Sequence, residues 1–256
     1  MAFNIKGVGG NMKIGIIGGT GFYEMEGEEI EVETKYGNVK AIHFKRGKRD
    51  IFFIARHGKA HAKPAHAVNY HANVMAMKNI GASVVIGIST VGSMKKSIKP
   101  GSIFIPNDFI DFTKRHTTFF DDEAVHIDLS EPFCPVVRKI LVNAAKNAKE
   151  GVYVATEGPR LETKAEIAMF KKFGDVVGMT LVPEAILARE AGICYASICL
   201  VSNYAAGLQE RLSIEEIKEM YRKRKAAIEK IVNKAIEKIP ARRNCRCRYA
   251  AIEGKL

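Results

Sequence analysis

In the stretch KIGIIGGTGFY, residues 13–23, an apolar run leads directly into a glycine-rich turn. A buried strand followed by such a turn is typical of sites that hold a phosphate group with backbone N–H groups. The stretch therefore raises the question of which phosphate it would bind. The possibilities are a dinucleotide, a nucleoside triphosphate and a smaller anion.

The residues around the turn disfavour both nucleotide motifs. A dinucleotide site needs Gly-x-Gly-x-x-Gly, a following helix and an acidic residue about twenty positions further on. Counted from Gly19, the third glycine would fall at Glu24, and residues 28–37 (EEIEVETKYG) alternate as a strand. The Gly-Lys-Ser/Thr of a nucleoside triphosphate site is absent. Two interpretations remain: a site for a small oxyanion, built from backbone N–H groups and the Thr20 hydroxyl, or a tight turn without a ligand.

Three other segments, ARHG, ISTVGS and GMT, each end a predicted strand with groups that suit an anion. Small hydroxyls combined with one Arg can form a pocket for free phosphate, with the guanidinium giving bidentate geometry. Taken singly each segment is weak evidence, and a lone His in such a place is more often structural than catalytic. The candidate phosphate ligands are Thr20, Arg56, His57, Ser89, Thr90 and Thr180.

In the rest of the chain, short runs rich in β-branched residues, which predict strands, alternate with helical patterns. Helices are predicted after Asn69 and after the capping boxes at Thr163 and Ser213, whereas residues 115–131 are polar and predict a long loop. The sequence has no interior linker or repeat. We expect one α/β domain with a central mixed β-sheet flanked by helices. Its predicted boundaries are a disordered extension over 1–11, the domain over 12–240 and a basic C-terminal tail over 241–256.

The net charge of +12 is concentrated near the end of the chain. Residues 211–256 contain fourteen Lys/Arg and six Asp/Glu, so +8 of the +12 lies there. The basic residues of a C-terminal helix more often form a solvent-exposed face than a nucleic-acid-binding surface. No apolar run approaches the roughly 18–20 residues that span a bilayer. We therefore predict a soluble, cytoplasmic protein that binds neither nucleic acid nor membrane.

The five cysteines predict no metal site. Cys134, Cys194 and Cys199 stand apart inside apolar stretches, which is typical of buried small hydrophobes. Cys245 and Cys247 form a C-x-C pair without a second pair or a His cluster, so structural zinc is not expected. The redox state of this pair stays open, with a strained disulfide as one alternative.

Beyond these patterns, the chain resembles the methylthioadenosine phosphorylase/purine nucleoside phosphorylase family. The resemblance runs in order from about residue 13 to 239. It implies a mixed-sheet fold, a trimer or a dimer of trimers, and reversible phosphorolysis of a purine nucleoside with inorganic phosphate as co-substrate and no cofactor. The stretches that carry it are KIGIIGGTG, ARHG, GSMKKSIKPGSIFIPNDFID, EPFCP, EGPRLET, VVGMTLVPEAILARE and GICYASICLVSNYAAG.

The resemblance also implies roles for individual residues. It assigns the six candidate phosphate ligands to phosphate and places Met179 beneath the ribose. His126, in AVHIDLSEPFCP, matches a position that reaches into the site of a neighbouring subunit. The base would be bound by the segment Asn203-Tyr204-Ala205.

Two positions indicate a 6-oxopurine base. Family members that cleave 6-aminopurines typically carry Asp-Tyr-Asp where this chain has Asn203-Tyr204-Ala205. A carboxylate accepts hydrogen bonds from an exocyclic amine, whereas the Asn203 amide can donate to O6 or N7 of the leaving purine. Glu162 matches the Glu of the 6-oxopurine branch and would accept from the N1–H. A turn Asn and a satisfied surface Glu are the plain structural alternatives.

The sugar end resembles the methylthio branch instead. Ile214 and Ile217, near the start of the last long helix, replace the polar side chain that often meets a 5′-hydroxyl. An apolar pocket favours 5′-methylthioribose, although such discrimination is modest. The combination predicts 5′-methylthioinosine, with inosine and guanosine as companions. Methylthioadenosine phosphorylase is the alternative.

Overall fold

The apolar runs of the sequence form a large β-sheet. A computed structural model of the chain describes residues 11–19, 25–58, 62–210 and 213–255. The predicted extension over 1–11 lies outside these residues except for Asn11. The nine strands of the described part are β1 (Met12–Gly18), β2 (Glu28–Val32), β3 (Val39–Arg46), β4 (Arg49–Ala55), β5 (Val84–Ser93), β6 (Ile103–Asp111), β7 (Lys149–Ala155), β8 (Val176–Gly178) and β9 (Cys194–Tyr204).

Local capping residues mark an end of three helices, α1 (Tyr70–Ile80), α3 (Lys164–Phe170) and α5 (Ile214–Lys238). Gly81 ends α1 in the left-handed conformation with φ 85°, which glycine adopts without strain. Thr163 and Glu166 form the predicted capping box of α3, and the Ser213 side chain caps α5. The six α-helices of the described residues are α1 (Tyr70–Ile80), α2 (Pro135–Ala145), α3 (Lys164–Phe170), α4 (Leu181–Glu190), α5 (Ile214–Lys238) and α6 (Ala250–Glu253).

The sheet is mixed, as predicted, and part of it closes on itself. The strand order is β2-β3-β4-β1-β5-β8-β7-β6-β9, and β9 pairs with β5 as well as with β6. The strands β5, β8, β7, β6 and β9 therefore form a closed ring. Strands β4, β1, β5 and β9 run parallel, so their carboxyl ends share one edge.

Helices cover both faces of the sheet around β1, β5 and β9. Successive side chains of a strand point to opposite faces. Accordingly Ile86 packs with α2 and α5 on one face, whereas Val85 packs with α1 and α4 on the other. Strands buried on both faces read as continuous apolar runs, which explains the sequence of β1, β5 and β9.

The C-terminal segment packs against the body of the domain. Cys247, Ala250 and Ala251 are buried, and α6 contacts α4. A bridge joins Val125 to Lys255, so the segment also pairs with the long loop before α2. Among the described residues, no helix is both long enough and apolar enough to cross a membrane.

Candidate active site

A cavity lies at the edge where the four parallel strands end. Gly19 follows β1, His57 follows β4, Thr90 lies in β5 and Asn203 lies near the end of β9. These residues line a cavity of about 220 Å³ together with Thr180, which follows β8. Open α/β sheets bind ligands outside the carboxyl ends of their strands, and the cavity occupies this position.

Most of the predicted site residues line this cavity. Thr20 lies outside the described residues, so its phosphate contact stays a prediction. The lining residues that were not predicted as site residues include Pro64, Ala65, Leu161 and Ser202. The predicted residues that the structure brings to the cavity are His57, Ser89, Thr90, Glu162, Met179, Thr180, Asn203, Ala205 and Ile217.

Gly19 holds the first turn against the end of β5. Its N–H donates to the carbonyl of Ile88 at 2.9 Å. A Cβ at this position would lie 2.9 Å from the same carbonyl oxygen, closer than side-chain carbons approach backbone. Glycine is therefore needed because the turn runs in contact with the neighbouring strand.

Arg56 differs from its predicted arrangement. Its guanidinium is fully buried and donates through Nε and Nη2 to the two carboxylate oxygens of Glu184. Nη1 donates to the carbonyl of Ile88 and Nη2 to that of Ile17. Burial alone would lower the pKa of Arg56, but attraction to Glu184 outweighs it and raises the pKa. The bidentate geometry expected for phosphate is thus taken by Glu184, and Arg56 lies behind Gly19.

One set of polar groups in the cavity wall consists of hydroxyls and one imidazole. Ser89 Oγ and Thr180 Oγ1 lie 3.2 Å apart. His57 Nδ1 lies 2.9 Å from the carbonyl of Lys63 and must carry the hydrogen, because a carbonyl only accepts. Thr180 precedes α4, whose positive dipole end favours an anion. The Ser89 and Thr180 hydroxyls can donate to an oxyanion without carrying a charge, whereas His57 already uses its Nδ1 hydrogen on the carbonyl of Lys63.

The Asn203 amide is held in one orientation by its neighbours. Ser202 Oγ donates to Asn203 Oδ1 at 2.6 Å, and Asn203 Nδ2 donates to the carbonyl of Tyr204 at 2.9 Å. The carbonyl of Tyr204 fixes the assignment because only the nitrogen can donate to it. Nδ2 has two hydrogens, so one is left for a ligand in the cavity.

We expect Ser202→Ala to impair cleavage of the preferred nucleoside without unfolding the protein. The variant removes the donor that holds Asn203 Oδ1, at a cost of about 0.5–1.5 kcal/mol for one hydrogen bond, so kcat/KM should fall roughly 3–10-fold. Ser197→Ala is the matched control, because Ser197 is also buried on β9 but donates to the carbonyl of Gly87. Equal kcat/KM losses in the two variants would contradict the role of Ser202.

Glu162 and Ala205 lie in the wall of the same cavity. Thr156 Oγ1 donates to Glu162 Oε1 at 2.6 Å, which orients the carboxylate. Ala205 is buried and its N–H donates to the carbonyl of Ser93 at 2.8 Å. The cavity therefore has one oriented carboxylate, one oriented amide and an apolar methyl. The assignment of these groups to base recognition stays a prediction.

Arg115 supports the cavity and was not predicted. It lies in the polar loop predicted over residues 115–131. Its guanidinium donates to the carbonyl of Met179 and pairs with Glu157 at 3.0 Å. Arg115 thereby fixes the backbone beneath Met179, whose side chain lines the cavity. The sequence offers no signal for this role, because a single Arg in a polar loop looks the same as an Arg exposed to solvent.

Besides Arg56, three predicted residues of the described chain are absent from the cavity lining. The Tyr204 hydroxyl donates to the carbonyl of Lys96 at 3.2 Å. Ile214 is 60% exposed at the start of α5. His126 lies in the loop before α2, and its N–H donates to the carbonyl of Gly254 at 2.8 Å. The contact of His126 with a neighbouring subunit stays a prediction.

The expectation that the C-x-C pair has no companion thiols was wrong. Cys134 and Cys194 do not stand apart, because the fold brings both to Cys245 and Cys247. The four sulfur atoms lie within 4.8 Å of one another and form a group that could hold a metal ion. Sequence spacing missed the group because three distant segments supply it. Cys199 is buried on β9, as predicted.

The chain matches a known protein family over most of its length. The model of the Phosphorylase superfamily matches residues 13–237. A "Probable S-methyl-5'-thioinosine phosphorylase" of Methanothermobacter thermautotrophicus is 47% identical over 93% of this chain and 88% of the relative. The 6-oxopurine nucleoside phosphorylase of Pyrococcus furiosus is 44% identical over 93% and 97%, respectively.

Solved structures show the same architecture. Methylthioadenosine phosphorylase from Schistosoma mansoni in complex with adenine matches with a TM-score of 0.89 and 30% identity, over 95% of this chain and 99% of that one. A methylthioadenosine phosphorylase from an Antarctic soil metagenomic library matches equally well, with 31% identity. The mixed sheet described above is therefore the sheet of nucleoside phosphorylases.

Proposed function

The chain belongs to the Phosphorylase superfamily, and from this premise we propose that it catalyses the reversible phosphorolysis of 6-oxopurine nucleosides. The products are the free base and a ribose 1-phosphate. Among these nucleosides we propose 5′-methylthioinosine as the preferred substrate, with inosine and guanosine also accepted. The observation that carries the proposal is the oriented Asn203 amide, with one N–H left for an acceptor in the cavity.

The phosphate would bind among the hydroxyls at the strand ends. Ser89, Thr90 and Thr180 lie together beside His57 and the Gly19 turn. A dianion there would be stabilised by donors that are already in place and by the positive end of α4. Since Glu184 neutralises Arg56, we propose that hydrogen bonds rather than a paired charge provide most of the affinity.

A hydrogen bond from the Asn203 amide would stabilise the negative charge that develops on the leaving base. Stretching of the glycosidic bond places positive charge on the sugar and negative charge on the purine. Asn203 Nδ2 would donate to O6 or N7, and Glu162 would accept from N1–H. Phosphate would stabilise the sugar cation and attack the anomeric carbon. Holding both reactants in one cavity replaces a bimolecular encounter by a positioned one. The reaction as proposed needs no metal and no organic cofactor.

The apolar part of the cavity supports a methylthio substituent. Met179 and Ile217 both line it, and neither offers a hydrogen bond to a 5′-hydroxyl. An alcohol there would lose water without gaining a partner, whereas a thioether would not. We further propose that the protein is a homo-oligomer, a trimer or a dimer of trimers, in which His126 of one subunit approaches the site of its neighbour.

A substrate panel tests the proposal. With phosphate present, we expect hypoxanthine release from 5′-methylthioinosine with a kcat/KM about 100-fold or more above that for 5′-methylthioadenosine. A 6-aminopurine presents an amine where O6 would accept from Asn203, and its N1 has no hydrogen to donate to Glu162. Product ribose 1-phosphate and base absorbance provide the readout. Faster adenine release would identify a methylthioadenosine phosphorylase instead. Base release at the same rate without phosphate would identify a nucleosidase.

A further inference from the structure

Four cysteines from three separate parts of the chain meet on the side of the domain where the C-terminal segment packs. Cys134 directly precedes α2, Cys194 begins β9, and Cys245 and Cys247 belong to the C-terminal segment. Their sulfur atoms all lie within 4.8 Å of one another, and those of Cys194 and Cys245 are 3.4 Å apart. We call this group the four-cysteine cluster.

The spacing of the sulfur atoms suits a shared tetrahedral ion. Zinc binds thiolates at about 2.3 Å, so four sulfurs around one ion lie about 3.8 Å apart. A disulfide would instead bring two sulfurs to about 2.05 Å, and all five cysteines are free thiols. Because soft thiolate sets in tetrahedral geometry select zinc, we propose that the four-cysteine cluster binds one Zn²⁺ through Cys134, Cys194, Cys245 and Cys247.

The surroundings fit a closed structural site. Cys134, Cys194 and Cys247 are buried, and only Cys245 is partly exposed. All four positions are taken by protein sulfur, which leaves none for a substrate. Cys245 and Cys247 line a cavity of about 700 Å³, which provides an entry path for the ion.

Arginine side chains lie where they can offset the negative charge of a zinc-bound four-cysteine cluster. Binding would release the four thiol protons to solvent without any redox step, and the resulting Zn²⁺–tetrathiolate carries a net charge of −2. Arg243 Nε donates to Cys194 Sγ at 3.3 Å, and Arg189 and Arg246 line the adjacent cavity. Such hydrogen bonds and positive charges around a thiolate site orient and stabilise its ligands.

The ion would fasten the C-terminal segment to the domain. From Cys247 the chain continues into α6 and reaches Gly254, whose carbonyl accepts from the His126 N–H. Lys255 pairs with Glu123 at 2.8 Å in the same loop. The four-cysteine cluster therefore anchors a segment that in turn holds the loop over residues 123–126.

Metal analysis of the full-length protein tests this site. The protein is produced in zinc-supplemented medium and purified without oxygen, and zinc is measured by mass spectrometry. We expect about one Zn²⁺ per chain, and a loss of about 10-fold or more in Cys245→Ser. Cys199→Ala is the matched control, because Cys199 is buried on β9 outside the cluster, and it should keep its zinc.

Cobalt provides a second measurement that needs no variant. Co²⁺ added to reduced, metal-free wild-type protein should give the intense visible bands of a tetrahedral thiolate complex, and one equivalent of Zn²⁺ should abolish them. The proposal is overturned if the reduced, folded protein takes up neither Zn²⁺ nor Co²⁺. It is equally overturned if the purified protein holds two disulfides by intact mass and binds no zinc after their reduction, or if Cys199→Ala loses zinc as Cys245→Ser does.

Discussion

Asn203→Asp combined with Ala205→Asp is expected to reverse the base preference in favour of 6-aminopurine nucleosides. The double variant replaces the amide donor with a carboxylate and adds a second carboxylate at the cavity wall, where Ala205 now presents only a methyl. Carboxylates accept from an exocyclic amine and repel the O6 of hypoxanthine. A site that leaves polar partners unpaired discriminates by up to 10⁴–10⁵, so we expect the kcat/KM ratio of methylthioinosine to methylthioadenosine to fall by about 100-fold or more.

Two controls separate charge from shape. Ala205→Asn adds nearly the same volume as Asp without a charge, and it should lower both kcat/KM values without reversing their ratio. Asn203→Asp alone removes the donor and should weaken methylthioinosine cleavage in particular, because its carboxylate also faces the carbonyl of Tyr204. An unchanged ratio in the double variant would exclude Asn203 and Ala205 as the determinants of base choice.

Local patterns predicted the parts of the fold that local chemistry controls. The β1 run, the capping box at Thr163 and the cap at Ser213 depend on neighbouring residues, and the structure confirms them. Helix α2 was not predicted, for a physical reason. It follows Cys134, which makes no side-chain cap, and it ends at Lys146 with φ 55° rather than at a glycine. Pro135 in its first turn is a start signal, but neither end has a side-chain cap or a glycine to strengthen it.

The residues of the candidate site that lie near strand ends were predicted from the sequence. Contacts between residues far apart in the chain were not. Ser89 and Thr90 in β5 and Thr180 after β8 were assigned to one anion site because small hydroxyls recur near predicted strand ends, and all three line the cavity. The pairing of Arg56 with Glu184 spans 128 residues and no spacing rule encodes it. The same holds for the four-cysteine cluster, whose segments share no local motif. Long-range pairs of this kind need the fold before they can be recognised.

The buried Arg56–Glu184 pair gives the largest expected effect on stability. Both side chains are fully buried, and Tyr195 also donates to Glu184 at 2.6 Å. Glu184→Gln keeps the volume but leaves the Arg56 charge uncompensated behind Gly19. Removing one partner of a buried pair costs about 3–5 kcal/mol, so we expect the free energy of unfolding in urea to fall by about that amount. Protomer concentration must be held equal, because subunit association shifts apparent stability.

A variant that replaces both partners shows whether the stability loss of Glu184→Gln comes from an unpaired buried charge or from lost packing. Arg56→Met with Glu184→Leu removes the pair together and should lose far less stability than Glu184→Gln, since apolar substitutes of similar volume are often neutral. Glu219→Gln is the exposed control, because Glu219 pairs with Lys223 at 2.7 Å on the surface of α5, where solvent screens the pair, and its loss should change the free energy of unfolding far less. If Glu184→Gln lost no more stability than Glu219→Gln, Arg56 would not depend on Glu184 for its charge. Its guanidinium would then be available to phosphate, and the neutral hydroxyls would no longer account for most of the anion's affinity.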